Sequence, residues 1–123
     1  MARVLIVDDD PLCRAIAAEA LTSAGHDCEE AEDGEIALTR LRAAPVDLVV
    51  TDLLMPNKEG LETIIEIRRT WPQTRIIAMS GGSGHAGPEQ LLGMAERLGA
   101  NATLAKPVRA APLLEAVRRV LQT

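Results

Sequence analysis

Carboxylates, a hydroxyl and an ammonium stand at the ends of apolar runs in this chain. Asp52 closes the run Val46-Asp47-Leu48-Val49-Val50-Thr51-Asp52, and a segment with Pro56 and Gly60 follows. Asp8-Asp9-Asp10 closes Val4-Leu5-Ile6-Val7, while Ser80 and Lys106 close two later runs, the lysine directly before Pro107. A carboxylate can attack phosphorus and form an acyl phosphate. That product adds roughly −1.5 to −2 charge units. An ammonium, a hydroxyl and a divalent cation would stabilise that charge on the phosphoryl oxygens. Asp8, Asp9 and Asp52 in one site would repel one another unless a cation neutralised them. Mg²⁺ suits such a site, because it takes oxygen ligands and bridges carboxylates and phosphate. Each residue alone has a plainer use. Asp10 is a natural helix N-cap, a serine before Gly81-Gly82 can be turn chemistry, and a lone lysine is ordinarily a surface residue. The set as a whole points to chemistry, provided the fold brings its members together.

The elements that would do so alternate. Strands are expected over Arg3–Val7, Asp27–Ala31, Leu48–Asp52, Arg75–Ser80 and Ala102–Ala105. Between and after them fall helical patterns. Pro11 suits a first helical turn; Leu12, Ile16, Ala20 and Ala24 share one face, and Gly25 follows at a C-cap position. Gly34–Ala43 points Ala37, Leu38 and Leu41 inward and stops near Pro45. Leu61, Ile64, Ile65 and Arg68 mark a stripe on a third helix ending near Trp71-Pro72. Glu89–Leu98 is a fourth helix, and Leu113, Val117, Val120 and Leu121 define a fifth. Strands alternating with helices imply right-handed crossovers and a mainly parallel sheet. Continuously apolar strands fit a sheet covered on both faces. Such sheets bind ligands beyond the carboxyl ends of their strands, at a topological switch point. That edge would gather Asp8, Asp9, Asp52, Ser80 and Lys106.

The chain has 123 residues, 47% hydrophobic and 25% charged, which supports one domain with a real core. Trp71 is its one aromatic residue, so aliphatic side chains must build that core. Trp71 is expected to cover the end of its helix. The net charge of −5 argues against nonspecific nucleic-acid binding, which needs clustered Lys and Arg. No stretch approaches the roughly 20 apolar residues of a membrane span, and no N-terminal segment reads as a secretion signal. Cys13 and Cys28 lack metal-ligand spacing and read as reduced structural residues. A cytoplasmic location is expected. The Gly-rich stretch from Gly81 to Pro88 lacks the Gly-Lys-Ser or Gly-Lys-Thr ending of a nucleotide P-loop. It is expected to be a mobile loop beside the site, with His85 as a solvated histidine in it.

Asp8-Asp9-Asp10 after the first strand, Asp52-Leu-Leu-Met-Pro56 through Gly60, Ser80, and Lys106-Pro107 together resemble the receiver domain of two-component response regulators. The resemblance covers essentially the whole chain, in order. It implies a flavodoxin-like, doubly wound (βα)5 fold with a five-stranded parallel sheet in order 2-1-3-4-5. Residues 1–123 are then one receiver domain, with no output domain among them. Asp52 would accept a phosphoryl group from a phosphohistidine of a sensor kinase or phosphotransfer protein. Asp9, Asp52 and the Leu54 carbonyl would bind Mg²⁺, for which Mn²⁺ can substitute, and Asp8 would act indirectly through water. Ser80 and Lys106 would bind the phosphoryl oxygens. The domain would catalyse only its own phosphorylation and dephosphorylation, and would signal to a downstream protein or output domain.

Two departures bear on the switch. Thr103 stands three positions before the lysine, where the family often carries an aromatic, and Val108 stands where Phe is common. An aromatic rotamer switch at residue 103 is therefore impossible. Two other readings use the same residues. A phosphatase of the haloacid-dehalogenase type would employ Asp8 and Asp10 as its Asp-x-Asp pair, but only Glu115 follows Lys106 where further acidic residues are needed. A phosphorylation-independent interaction module would keep the fold and bind its partner equally well as Asp52→Asn. Nothing on the final two helices separates a homodimer surface from a partner surface.

Overall fold

The carboxyl ends of four parallel strands meet along one edge of the sheet in the computed structural model, which describes residues 1–53, 60–81 and 88–122. The elements, in chain order, are β1 (Arg3–Val7), α1 (Pro11–Ser23), β2 (Asp27–Ala31), α2 (Gly34–Ala43) and β3 (Leu48–Asp52). They continue with α3 (Gly60–Thr70), β4 (Arg75–Ser80), α4 (Pro88–Leu98), β5 (Ala102–Ala105) and α5 (Ala110–Leu121). The five strands form one parallel sheet in order β2-β1-β3-β4-β5. The expected flavodoxin-like arrangement is thus the observed one. The chain reverses its direction of travel across the sheet between β1 and β3, which makes their carboxyl ends the switch point.

Alternation along the strands divides the core in two. Leu5, Val7, Val49, Ile76 and Ala78 face α2, α3 and α4, packing with Leu38, Leu41, Ile64, Ile67 and Ala95. Val4, Ile6, Leu48, Val50, Ile77 and Met79 face α1 and α5, packing with Ala17, Leu21, Leu113, Val117 and Val120. Every residue of β3 is buried, as a central strand covered on both faces requires. Trp71 packs against the first of these clusters at the end of α3, the place expected for it.

Local chemistry sets the helix ends. Asp10 is the N-cap of α1 and accepts a hydrogen bond from the Leu12 N–H at 2.9 Å, with Pro11 in the first turn. Gly25 follows α1 with φ +97°, a conformation that L side chains rarely adopt. Asp33 caps α2 through the Ile36 N–H at 2.9 Å. At the far end of α3, Arg68 donates to the Pro72, Thr74 and Gly99 carbonyls and to Asn101 Oδ1, at 2.7–3.1 Å. That staple ties α3 to the start of β4 and to the turn before β5.

Two helix faces differ from the expectation. In α1 the buried residues are Ala17, Ala20 and Leu21, while Leu12 is 68% exposed and Ile16 37%. In α3 they are Gly60, Thr63, Ile64 and Ile67, and Ile65 turns outward. Both helices carry apolar residues in adjacent registers, and the sheet selects the register that fills its grooves.

Candidate functional site

β1 hands directly to the acidic triplet. The Asp8 N–H bonds the Ala31 carbonyl at 3.1 Å, carrying the β1–β2 ladder one residue past the strand. The chain then turns into α1, and the Asp10 N–H bonds Asp8 Oδ1 at 2.9 Å. Asp8 is fully buried and Asp9 is exposed. β3 ends on Asp52, 5% exposed and paired in register with Met79 of β4. Ser80 ends β4 fully buried, and its carbonyl accepts from the Lys106 N–H at 3.0 Å. Lys106 follows β5 and is joined to Pro107 by a cis peptide bond. The five residues picked out at the ends of the apolar runs therefore all lie at the carboxyl edge of the sheet.

Their charges interlock. Carboxylate oxygens of Asp8, Asp9 and Asp52 lie within 4.8 Å of one another. The Lys106 ammonium sits 2.8 Å from Asp8 Oδ2 and 3.2 Å from Asp52 Oδ2, with its side chain 17% exposed. Burial pulls the lysine's pKa down, but the bonds and charges of Asp8 and Asp52 outweigh it and hold the ammonium above the usual lysine range. Among the described residues, one ammonium touches these carboxylates, so the three-carboxylate cluster keeps an excess of negative charge. Buried Asp8 Oδ2 is met by the Lys106 ammonium in an ion pair at 2.8 Å, and no other donor among the described residues reaches it. Excess negative charge and an all-oxygen donor set fit a hard divalent cation. The Leu54 carbonyl expected to complete its ligands lies outside the described residues, as does the 82–87 stretch with His85.

Gly60 closes the floor of the site. A Cβ at that position would lie 2.3 Å from the Asp52 carbonyl oxygen and 2.6 Å from Leu53 Cα. Only glycine lets α3 start this close to the end of β3, and the Gly60 N–H bonds the Leu53 carbonyl at 3.2 Å. The sequence signal was present as the glycine after Pro56, although its contact with Asp52 was not readable from spacing. Sequence reasoning missed Arg14, whose guanidinium reaches the Asp8 carbonyl at 2.7 Å. Thr103 lies on β5 opposite Ala78, partly buried, and Val108 packs partly against the α1/α5 side of the core.

A phosphoryl acceptor needs a nucleophile, a neutralising cation and donors for the transferred oxygens. The site offers a carboxylate for the first, a lysine and a carboxylate cluster able to hold a cation for the second, and the Ser80 hydroxyl and Lys106 ammonium for the third. The model of the response regulator receiver domain matches residues 4–118. The chemotaxis protein CheY of Thermotoga maritima is 31% identical over 119 residues, covering 96% of each chain. The transcriptional regulatory protein CpxR of Klebsiella pneumoniae is 34% identical over 122 residues; the alignment takes in 99% of this chain and 50% of CpxR, so the chain spans about half that relative's length. Among solved structures, the chemotaxis response regulator CheY4 of Vibrio cholerae superposes with a TM-score of 0.87 at 31% identity, covering 98% of both chains. No helix among the described residues is long and apolar enough to cross a membrane. A family match of that extent, on a fold shared with CheY4 almost from end to end, makes this chain a member of the response regulator receiver domain family.

Proposed function

We propose that the chain is a phosphoacceptor switch in which Asp52 takes a phosphoryl group from a phosphohistidine of a sensor kinase or phosphotransfer protein. A carboxylate oxygen of Asp52 attacks phosphorus, the P–N bond breaks, and the imidazole leaves with its electron pair. The observation that carries this reading is the Lys106 ammonium 3.2 Å from Asp52 Oδ2, within the three-carboxylate cluster at the switch point of the sheet. Asp9 and Asp52, with the Leu54 carbonyl, would hold Mg²⁺ or Mn²⁺, and Asp8 would act through water; the bound ion supplies positive charge to the phosphoryl oxygens. Lys106, already facing Asp52, moves its ion pair onto the new phosphoryl group, and Ser80 donates its hydroxyl to another oxygen. Leaving Asp8 for a phosphoryl oxygen shifts Lys106 and its strand, and this biases two packings of the domain. Thr103 makes that shift an aliphatic and backbone event rather than an aromatic flip.

The phosphodonor would cover an exposed apolar rim. Leu12 and Ile16 lie on the outer face of α1, which begins directly after the acidic triplet. Output passes to a downstream protein or to an output domain of the kind that the greater length of CpxR leaves room for. The test is incubation with acetyl phosphate and Mg²⁺ followed by intact-mass measurement. A single phosphate adduct, lost with a chelator and lost in Asp52→Asn, is the expected result. No adduct on folded protein would instead favour a constitutive interaction module.

A further inference from the structure

Asp9 is the exposed member of the carboxylate cluster, and among the described residues nothing bonds its carboxylate. Asp8 is held from several sides, by the Ala31 carbonyl, the Asp10 N–H and Lys106. The Asp9 side chain therefore sits where its backbone puts it, and the peptide that joins Asp8 to Asp9 sets that direction. The oxygen of this peptide is the Asp8 carbonyl. It accepts a charge-assisted bond from Arg14 Nη1 at 2.7 Å, while Arg14 Nε bonds Glu30 Oε1 at 3.2 Å. The guanidinium is a rigid fork, so one tine fixes the other. Glu30 anchors it on β2, at the position paired in register with Ile6. The Arg14 side chain is only 17% exposed, although its neighbours on the outer face of α1 are open to solvent.

We infer that Arg14 is a positioning residue for the cation site: anchored on Glu30, it locks the Asp8–Asp9 peptide so that the Asp9 carboxylate points into the cluster. The inference rests on the proposed phosphoacceptor reading. Two forces oppose each other here, and they differ in sign. As a positive charge near the cluster, Arg14 disfavours a cation, so its loss would tighten binding. As the clamp on the peptide, it lowers the ordering cost of bringing Asp9 to the ion, so its loss would weaken binding. A direct hydrogen bond with a second, fixed tine favours the clamp, because screening by the exposed rim weakens the charge effect. Removing outer partners of metal ligands commonly lowers affinity by about 10-fold or more.

The experiment is an amide NMR titration of the apo protein with MgCl2, which reads affinity without any phosphorylation. Arg14→Ala is expected to bind Mg²⁺ about 10-fold more weakly. Arg14→Lys, which keeps the charge but not the fork, should also be weaker than wild type. Glu30→Ala releases the anchor at an exposed position that leaves the fold intact, and should weaken binding by a smaller factor. Its affinity is decisive should Arg14→Ala fail to fold. Wild-type protein that takes no Mg²⁺ at the cluster overturns the phosphoacceptor reading and this inference with it. Wild type that binds, with Arg14→Ala or Glu30→Ala binding equally or more tightly, overturns this inference alone.

Discussion

Replacing Lys106 with Met removes the ammonium and keeps most of the stem. At an effective dielectric constant of about 20, the pairs at 2.8 Å and 3.2 Å have gross Coulomb energies of about 6 and 5 kcal/mol. Desolvation of the partners offsets most of that, and removing one partner of such a pair costs about 3–5 kcal/mol because a buried charge is left behind. Asp8 is fully buried, which pushes the cost up; Asp9 at the rim is exposed, and water there pushes it down. A loss of about 3 kcal/mol is therefore expected for Lys106→Met without divalent cation. It is large beside the roughly 5–15 kcal/mol that stabilises a domain. The assay is urea denaturation of both proteins in chelator and in MgCl2. With the ammonium gone the cation has no competitor for the carboxylates, so the variant binds it more tightly and the gap narrows in Mg²⁺. The pH dependence has a definite sign. Asp8 and Asp52 raise the lysine above its ordinary 10.5. Its contribution is therefore complete below that unfolded-state value and lost only as pH rises through the higher folded-state value. Between about pH 6 and 9 the ammonium therefore stays charged, and its own titration adds no pH dependence to the gap. Equal stability of the two proteins in chelator, or a gap that saturating Mg²⁺ does not narrow, would refute the reasoning.

Other perturbations separate the fold from the chemistry. Gly60→Ala forces a Cβ to within 2.3 Å of the Asp52 carbonyl, so either strand or helix must move; a loss of about 1–3 kcal/mol in urea denaturation is expected, with slower phosphorylation by acetyl phosphate. Ser80→Ala should slow that phosphorylation by on the order of 100-fold, as removal of one oxyanion donor does elsewhere, when followed by intact mass over time. Leu12→Asp should leave stability within about 0.5 kcal/mol, since the side chain is 68% exposed. It should slow transfer from a phosphohistidine protein but not from acetyl phosphate, and equal slowing with both donors would remove the α1 rim from the docking reading.

Much of this architecture could be read from residue order. Four strands showed as short apolar runs that stop at polar residues, the polar second strand Asp27–Ala31 gave a weaker signal, and the parallel sheet followed from their alternation with helices. Helix faces were harder wherever alanine is frequent. Along α1, the set Leu12, Ile16, Ala20 and Ala24 and the set Ala17, Ala20 and Leu21 are both helical stripes, and only packing against β1 and α5 chooses between them. In α3, Ile64 and Ile65 are adjacent, so one must face outward, and the sheet takes Ile64 with Ile67. The candidate site was legible because its members are chemically distinctive and each stands at or just past the carboxyl end of a strand. Arg14 was not, since an arginine in a first helical turn looks like a solvated residue until β2 brings Glu30 beside it. The Arg68 staple was hidden for the same reason, because its acceptors, three backbone carbonyls and Asn101 Oδ1, belong to two separate connections.

The central claim is that Asp52 is the phosphoryl acceptor, and mapping the adduct tests it most directly. Borohydride reduces an aspartyl phosphate to homoserine, so peptide mass spectrometry after acetyl phosphate treatment reads the modified position. Homoserine at residue 52, dependent on Mg²⁺, is the expected result. Homoserine at Asp8, as a phosphatase-like site would give, or at neither residue in protein shown to be folded, would contradict it.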